Sequence, residues 1–590
     1  MSNIESLSKP VDAAIWEKLF PKSSALNPPP LESGQFELGL VLGGTVSAGA
    51  YTAGVLDYLV ETFDNWESKK TEAQKNSDPS IPSWKVTIKT MSGTSGGGVL
   101  AATLAKALSW DFPHVSSKPL TPAINNPFYH VWVESLDIKD MLSNDDLERD
   151  GNIQSLLNSN CRFKAGEYVA NFPQTTLPKK RRSYVAEPLT AFLTLTNLRG
   201  IPYTVDWGNG LAQSYVSHAD HVRLAVFTKD GNFPVRPDEF GVSTNPLSGY
   251  VSWDSVSKFA LGTSAFPIGL PLQPLSRPID QYRYRPIVVP SDGTSPADIQ
   301  QPNIDWRMLV TEGQTDVDLT YHFTAADGGV MNNEPIELCR KHLAGIVGRN
   351  PRDGDKANRA VLLVDPFADA PNLGKNATDL GNAVSSLFSS LKDQARYDTQ
   401  DMLLATHADC YSRFMITAKR GNIVGGKAIA TASLGAFGGF LCKEYREHDY
   451  FLGRKNCQEF LENPDNFWLP ETNPLFGNWR QSNPNAANTL RRQNISGDWC
   501  LPIIPLFGSS LLVQNVPTYP HGRFDPKSLE FQYPLNNRVD KLLSKANHEF
   551  VPDFIARIYI QIGESMGGKS KLIRAITQSI TEGLAKWDLL

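Results

Sequence analysis

Near the start of the chain, the pattern of hydrophobic and polar positions repeats one structural unit twice. Residues 37–42 form a strand-like apolar run that ends in a glycine turn, and apolar residues at helical spacing follow from Gly49. Residues 84–91 form a second strand-like run, which a glycine-rich turn at 92–98 joins to a helical pattern over 99–108. Alternating strands and helices predict a mainly parallel sheet with helices on both faces, so we expect a three-layer α/β/α domain.

Strand-like runs recur further along the chain and indicate how far this domain extends. They lie at 192–196, 222–227 and 360–365, and the last run predicts the end of the sheet domain. Residues from about 109 to 188 contain few strand-like runs, so we interpret them as an insertion or cap. The proline-rich, polar segment 277–303 is typical of a surface loop.

The rest of the chain divides into a leader and a helical region. A polar leader over 1–35 precedes the sheet domain, which we place at 36–368. Beyond it, helical patterns over 380–419 and 569–590 predict a mostly helical C-terminal extension over 369–590. The last helix carries one apolar stripe, which favours packing into a core over docking on a membrane.

Composition and charge exclude some classes of function. The 590 residues carry a net charge of −5, without the basic excess that is typical of proteins that bind nucleic acid. The six cysteines are scattered and form no CxxC pair, so we expect neither a disulfide framework nor a zinc site. This cysteine usage indicates a reducing, cytoplasmic setting.

The sequence predicts no membrane-spanning segment. Its first residues lack the runs of a signal peptide, and no stretch reaches the roughly 18 apolar residues that a spanning helix needs. Peripheral contact with a membrane surface stays open, because it does not require a long apolar stretch. We interpret the basic run Lys179 to Arg182 as a solvated loop rather than a contact with anionic headgroups. The oligomeric state is not predicted.

The turn after the second strand contains a candidate nucleophile. Its sequence, Gly93-Thr94-Ser95-Gly96-Gly97, matches the GxSxG pattern, and a strand before it and a helix after it are the setting of a nucleophile elbow. In such a turn the serine hydroxyl stands above the sheet, and glycines allow close contact between strand and helix. Gly96 also leaves the backbone N–H after the serine open to an oxyanion. We therefore predict that Ser95 is the nucleophile.

A serine nucleophile needs a base, and none of the ten histidines stands in a recognisable triad context. His322 lies within an alternating, strand-like stretch, so we interpret it as structural. Asp327 is the stronger candidate because it follows a strand-like run and precedes Gly328-Gly329. The paired glycines permit the close backbone approach that would bring its carboxylate to the serine.

Four segments in fixed order resemble the blocks of the patatin-like phospholipases. They are Leu40 to Gly44 continuing to Gly54-Val55-Leu56, Gly93 to Gly97, Thr263 to Pro271, and Asp327 to Pro335. The resemblance covers about residues 36–368. A further segment, Arg446 to Tyr450 with Gly453-Arg454, resembles a C-terminal block of a bacterial patatin-related subgroup. We interpret the charges of this segment as a structural ion network.

The resemblance implies a lipid acyl hydrolase of the phospholipase A or carboxylic ester hydrolase type, with a lipid or membrane-surface substrate. It implies a catalytic dyad without histidine, in which Ser95 attacks the ester carbonyl to form an acyl-enzyme and Asp327 takes the hydroxyl proton. The implied oxyanion hole consists of backbone N–H groups of Gly43, Gly44, Thr45 and Gly96. The implied mechanism requires neither a metal nor a cofactor.

The first block departs from the family pattern. The usual Gly-Gly-Gly-x-Arg/Lys-Gly is replaced by Gly44-Thr45-Val46-Ser47-Ala48-Gly49, which lacks the basic residue. Backbone donors survive a change of side chain, so a hydrolase remains the preferred prediction. Two alternatives stay open: an acyltransferase that uses an acceptor other than water, and a lipid-binding or scaffold protein that has lost catalysis.

Overall fold

The computed structural model describes residues 9–21, 30–148, 152–206, 211–245, 249–289, 291, 293–306, 320–345, 350–367, 390, 394, 410–548 and 569–590. At its centre lies a mixed, mainly parallel sheet with flanking helices, as the sequence predicts, and a largely helical region follows. The fold is therefore of the α/β class.

The strands are, in chain order, β1 (Gln35–Leu42), β2 (Lys85–Gly93), β3 (Val185–Asp206), β4 (Ala212–Phe227), β5 (Phe240–Ser243), β6 (Gln273–Pro278), β7 (Ile287–Val289), β8 (Asp298–Gln300), β9 (Thr320–Asp327), β10 (Arg359–Val364), β11 (Arg413–Ile416), β12 (Lys419–Arg420), β13 (Ile423–Val424), β14 (Trp468–Pro470), β15 (Arg492–Gln493) and β16 (Trp499–Pro502). The longer helices are α1 (Ala13–Leu19), α2 (Gly49–Asn76), α3 (Gly96–Ala107), α4 (Asn160–Asn171), α5 (Trp253–Thr263), α6 (Ile336–Ala344), α7 (Lys443–Glu462), α8 (Pro484–Leu490), α9 (Leu529–His548) and α10 (Lys569–Ala585).

Neighbouring strands of the central sheet follow the order β11-β10-β1-β2-β3-β4-β5, with β9 paired to β3 and β6 paired to β9. The pairs from β11 to β3 are parallel, whereas β3 is antiparallel to both β4 and β9. The apolar residues of β1 and β10 are buried, because a parallel sheet of this kind is covered on both faces.

The strand register brings three chain segments to one edge of the sheet. Leu42 at the end of β1 lies opposite Gly93 at the end of β2, and Gly93 in turn lies opposite Leu193 of β3. Two residues further along β3, Leu195 lies opposite Asp327 at the end of β9. The glycine turn after β1, the GxSxG turn after β2 and Asp327 therefore adjoin one another.

The C-terminal region packs directly on the helix that follows the first glycine turn. A Cβ atom at Gly54 of α2 would lie 1.9 Å from the carbonyl oxygen of Tyr450, and one at Gly453 of α7 would lie 2.1 Å from that of Tyr51. Glycine is needed at both positions, because any side chain would collide with the backbone of the opposite helix. Helix α7 thus forms part of the layer that covers the sheet.

The sheet also extends past the boundary at 368 that the sequence predicts. The helical prediction over 380–419 is wrong at its end, because Arg413–Ile416 forms β11, parallel to β10. The side chains of Phe414 and Ile416 pack into the main core, and this packing favours a strand there. Most of the remaining segment lies outside the described residues. The predicted loop 277–303 contains the hairpin of β7 and β8.

The last two helices pack against the segment between β2 and β3, which the sequence predicts to be an insertion or cap. Leu142 of this segment shares an apolar cluster with Phe531, Leu535 and Val539 of α9 and Ile573 of α10. The apolar stripe of the last helix therefore faces protein, in agreement with the interpretation as core packing.

A buried ion network joins α7 to α2. Arg454 donates a hydrogen bond of 2.5 Å to Asp57, and the Tyr450 hydroxyl donates one of 2.7 Å to the same carboxylate. Burial alone would raise the pKa of Asp57, but the charges of His114 and Arg454 outweigh it and hold the pKa well below its ordinary value. The charged block of the C-terminal region is thus structural, as interpreted.

The basic run Lys179 to Arg182 is only partly solvated. Arg182 is buried and forms a two-point ion pair with Asp64, with N···O distances of 3.0 and 2.9 Å. Lys180 pairs with Asp111 at 2.9 Å. The interpretation as a solvated loop is therefore wrong for Arg182, because its guanidinium compensates the charge of a buried carboxylate on α2.

Two further properties bear on the predictions from composition. All six cysteines are buried and free. No helix in the described ranges combines the length and the hydropathy that crossing a membrane would require.

Candidate active site

Ser95 occupies a strained turn between β2 and α3. Its backbone has φ 55° and ψ −125°, a conformation that non-glycine residues rarely adopt. A Cβ atom at Gly97 would lie 2.3 Å from the carbonyl oxygen of Leu42 and 2.4 Å from that of Gly43. The absence of a side chain at Gly97 therefore allows the turn to pack directly against the end of β1. This packing fixes the position of Ser95 above the sheet.

The structure brings Ser95 and Asp327 together. The Ser95 hydroxyl donates a hydrogen bond of 2.6 Å to Oδ2 of Asp327, and both residues are buried. The other carboxylate oxygen, Oδ1, accepts the Gly329 amide at 2.7 Å, and the Asp327 carbonyl accepts the Thr196 hydroxyl at 2.7 Å. These contacts orient Oδ2 toward the serine.

The segment around Thr263 and Ala265 contacts both members of this pair. The Ser95 amide donates to Oγ1 of Thr263 at 2.9 Å, and the Asp327 amide donates to the carbonyl of Ala265 at 2.9 Å. The sequence placed this segment among the family blocks without giving it a role. Its supporting contacts depend on tertiary packing, so no local pattern could have revealed them.

Arg162 is a buried cation beside this segment. Its guanidinium donates to the carbonyls of Leu261 at 3.2 Å and Pro271 at 2.9 Å, one at each end of the segment. Burial lowers the pKa of Arg162 to about 10, while the nearby Asp327 carboxylate acts in the opposite direction. In the described ranges, no carboxylate lies within ion-pair distance of this guanidinium. No motif in the sequence singles out Arg162.

The four residues of the predicted oxyanion hole lie around the turn after β1, but their amides differ in availability. The Gly43 amide donates to the carbonyl of Val364 at 3.2 Å, and the Gly44 amide donates to that of Asn333 at 3.1 Å. Both N–H groups therefore already have acceptors inside the protein. Of the four residues predicted to supply oxyanion donors, Thr45 and Gly96 therefore remain the candidates.

Thr45 and Gly96 face each other beside Ser95. A Cβ atom at Gly96 would lie 2.5 Å from Oγ1 of Thr45. Gly96 is the first residue of α3, so its amide has no acceptor within the helix, and the helix N-terminus adds a partial positive charge. The Thr45 hydroxyl is fully buried and has no hydrogen-bond partner in the part of the chain that the structure describes.

The altered residues of this turn are held by the C-terminal region. Val46 has φ 48°, an outlier for a β-branched residue. Next to it, the Ser47 hydroxyl donates to the carbonyl of Ala436 at 2.5 Å and accepts the Gly439 amide at 2.9 Å. The turn that departs from the family pattern is thus fixed from outside by a segment 389 residues further along the chain.

His322 does not join the site. Its ring is exposed on β9, and Nδ1 lies 2.8 Å from the Ser276 hydroxyl. Its position agrees with the interpretation as a structural residue. Within the described residues, no group of His, Cys, Asp and Glu side chains is arranged to hold a metal ion.

Comparisons with known proteins connect the chain to one relative. No protein-family model matches the sequence. The crystal structure of VipD from Legionella pneumophila aligns over 98% of this chain and 94% of its own, with 11% identity and a TM-score of 0.20. The uncharacterized protein y4iI of Sinorhizobium fredii (strain NBRC 101917 / NGR234) is 30% identical over 535 residues, which are 83% of this chain and 72% of that protein. The chain therefore belongs to the same protein family as y4iI.

Proposed function

We propose that the protein is a lipid acyl hydrolase, a phospholipase A or related carboxylic ester hydrolase, that works through a Ser95–Asp327 dyad. The observation that carries this proposal is the 2.6 Å hydrogen bond from the Ser95 hydroxyl to Oδ2 of Asp327, formed in a strained turn between a strand and a helix. The choice of a lipid ester as substrate rests on the resemblance of the four sequence blocks to patatin-like phospholipases.

In the first step, Ser95 Oγ attacks the ester carbonyl carbon while its proton passes to Oδ2 of Asp327. Free aspartate is a weak base with a pKa near 3.9, so proton transfer and attack must be closely coupled. The Gly329 amide stays on Oδ1 and keeps Oδ2 in line with the hydroxyl. The carbonyl electrons move onto oxygen and form the oxyanion.

The oxyanion donors in this proposal are the Gly96 amide and the Thr45 hydroxyl. Gly96 offers an N–H at the positive end of α3, and the Thr45 hydroxyl lies next to it without another partner in the described ranges. The Thr45 side chain would then supply a donor in place of the Gly43 and Gly44 amides, which already have acceptors.

Collapse of the tetrahedral intermediate completes the cycle. The C–O bond to the leaving alcohol breaks, and the alcohol takes the proton from Asp327, which leaves the acyl group on Ser95. Water then attacks the acyl-enzyme while Asp327 accepts its proton. The bond between the acyl carbon and Ser95 Oγ breaks, Asp327 returns the proton to Oγ, and the carboxylic acid departs. An acceptor alcohol in place of water would give the acyltransferase that the sequence leaves open.

Binding without turnover is the second candidate. This candidate is supported by the hydrogen bonds that the Gly43 and Gly44 amides already donate to carbonyls inside the protein. An oxyanion hole without these two donors would stabilise the transition state poorly. In that case the site would still accept a lipid ester and hold it beside Ser95.

The test compares the rates at which the unmodified protein and Asp327→Asn hydrolyse a phospholipid and a p-nitrophenyl ester. A protein that binds without turnover would hydrolyse neither ester. The proposal predicts that this variant loses activity by at least about a thousandfold, because the base is removed. The control is His322→Asn, which changes a histidine outside the site and should retain activity. Equal rates for Asp327→Asn and the unmodified protein would contradict the dyad.

A further inference from the structure

Two phenylalanines meet beside the candidate dyad, although they belong to different parts of the chain. The rings of Phe266 and Phe437 contact each other edge to face, with centroids 5.8 Å apart and an interplanar angle of 69°. Such a pair is favourable but weak enough to separate.

Phe266 belongs to the side of the site that holds the base. It directly follows Ala265, whose carbonyl accepts the amide of Asp327, and it lies three residues after Thr263, which accepts the amide of Ser95. Despite this position, 40% of Phe266 is exposed, and so is 38% of Ile268, two residues further on. Exposed apolar side chains beside a buried polar site are typical of a ligand-binding surface.

Phe437 belongs to the side that holds the oxyanion turn. It directly follows Ala436, whose carbonyl accepts the Ser47 hydroxyl, and it precedes Gly439, whose amide donates to that hydroxyl. The ring of Phe437 also contacts buried Phe440, with centroids 5.7 Å apart. Phe437 is thus partly buried and packs against the core, and Phe266 is the exposed partner.

We propose that Phe266 and Phe437 form an aromatic gate that binds the acyl chain of the substrate and selects for its length. The pair connects the segment behind the base to the segment behind the oxyanion turn, and buried Ser95 contacts the first of these segments through Thr263. A long alkyl chain gains contact with both rings, whereas a short acyl group reaches Ser95 without that contact. This inference rests on the proposed hydrolase function.

The test is the rate, expressed as kcat/KM, on p-nitrophenyl esters from acetate to palmitate. Phe266→Ala should lower the value for long-chain esters by about tenfold or more, while the value for acetate changes little, because only the long chain loses contacts. Phe266→Trp should shift the preference toward shorter chains. Phe437→Leu, which keeps an apolar side chain in the core, should give a smaller shift in the same direction as Phe266→Ala.

The control variant is Tyr215→Ala. Tyr215 is half-exposed and stacks on Tyr203, with centroids 5.4 Å apart, on the β3–β4 hairpin. Its removal should leave the ratio of long-chain to short-chain rates unchanged. If Phe266→Ala is active and keeps the same ratio as the unmodified protein, the gate is refuted while the hydrolase stands. If the unmodified protein hydrolyses none of the esters, the hydrolase and the gate both fall.

Discussion

The Ser47 hydroxyl accepts a hydrogen bond of 2.9 Å from the Gly439 amide and thereby joins the turn beside Ser95 to the C-terminal region. A Cβ atom at Gly439 would lie 2.6 Å from Oγ of Ser47, so the contact depends on glycine at that position. The turn that lacks the basic residue of the family pattern is therefore shaped by residues outside the four sequence blocks.

Replacement of Ser47 by Ala should weaken both stability and turnover. The change leaves the Gly439 amide and the Ala436 carbonyl unpaired in a buried site, which costs about 1–3 kcal/mol of unfolding free energy. Because the loosened turn affects the oxyanion more than substrate binding, kcat should fall more than KM changes. Denaturant unfolding and ester hydrolysis measure the two effects. The control is Ser33→Ala, which removes a hydroxyl bonded to the Pro474 carbonyl at the surface and should change neither stability nor turnover. An equal loss in Ser33→Ala would contradict the role of Ser47 in holding the turn.

Replacement of Thr45 by Val should lower kcat by about a hundredfold, since one oxyanion donor is removed without a change of shape. The matched control is Thr52→Val in α2, because Thr52 is likewise fully buried with a hydroxyl that has no partner among the described residues. The measurement is kcat for ester hydrolysis by the two folded variants. Similar kcat values for Thr45→Val and Thr52→Val would show that the Thr45 hydroxyl is not an oxyanion donor.

Replacement of Gly453 by Ala should destabilise the whole sheet domain. The new methyl group would lie 2.1 Å from the Tyr51 carbonyl oxygen, so α7 must move away from α2, and overpacking of this kind costs about 1–3 kcal/mol or more. Thermal unfolding provides the measurement. Gly477→Ala serves as the control, because a Cβ atom there would have its nearest neighbour at 3.9 Å. Unchanged cooperative unfolding in Gly453→Ala would indicate that the C-terminal region is not integral to the domain.

Much of the α/β fold could be predicted because its signals are local. The apolar strand before Ser95, the glycine turn and the helix after it are contiguous, and so are the strand before Asp327 and the glycines after it. The strand β11 could not be predicted, because the run Arg413–Ile416 is short and becomes a strand only through its pairing with β10. For the same reason, the central sheet continues past the predicted boundary at 368.

The residues that support Ser95, Asp327 and the turn after β1 could not be predicted from sequence patterns either. Thr263, Arg162 and Ser47 act through hydrogen bonds to partners that are distant along the chain. Thr263 and Ser47 lie in segments compared with the family pattern, but that pattern assigns neither of them a role. The hydrogen bonds of the Gly43 and Gly44 amides depend likewise on the positions of Val364 and Asn333 in the folded chain.

The stability of the protein should fall in acid because of Asp57. Its pKa is held well below the ordinary value in the folded state, so the ionised form stabilises the fold at neutral pH. This contribution is fully present above the unfolded pKa of about 3.9 and is lost as the pH falls toward the folded pKa. Asp57→Asn should cost about 3–5 kcal/mol at neutral pH, because Arg454 then remains buried without its main partner.

Denaturant unfolding across the acid range measures this effect. Between neutral pH and about pH 3, the stability difference between the unmodified protein and Asp57→Asn should begin to shrink, because Asp57 becomes protonated in the unfolded chain while it stays ionised in the folded protein. A difference that stays constant over this range would show that the charge of Asp57 is not what stabilises the fold.

Labelling of the folded protein with a fluorophosphonate probe is the sharpest test of the Ser95–Asp327 dyad, because the probe forms a covalent bond only with an activated serine. We expect stoichiometric labelling at Ser95, loss of labelling in Ser95→Ala, and strongly slowed labelling in Asp327→Asn. Ser264→Ala, which changes a nearby serine whose hydroxyl donates to helix carbonyls, should label normally. Absence of labelling in the folded, unmodified protein, or labelling that persists in Ser95→Ala, would contradict the dyad.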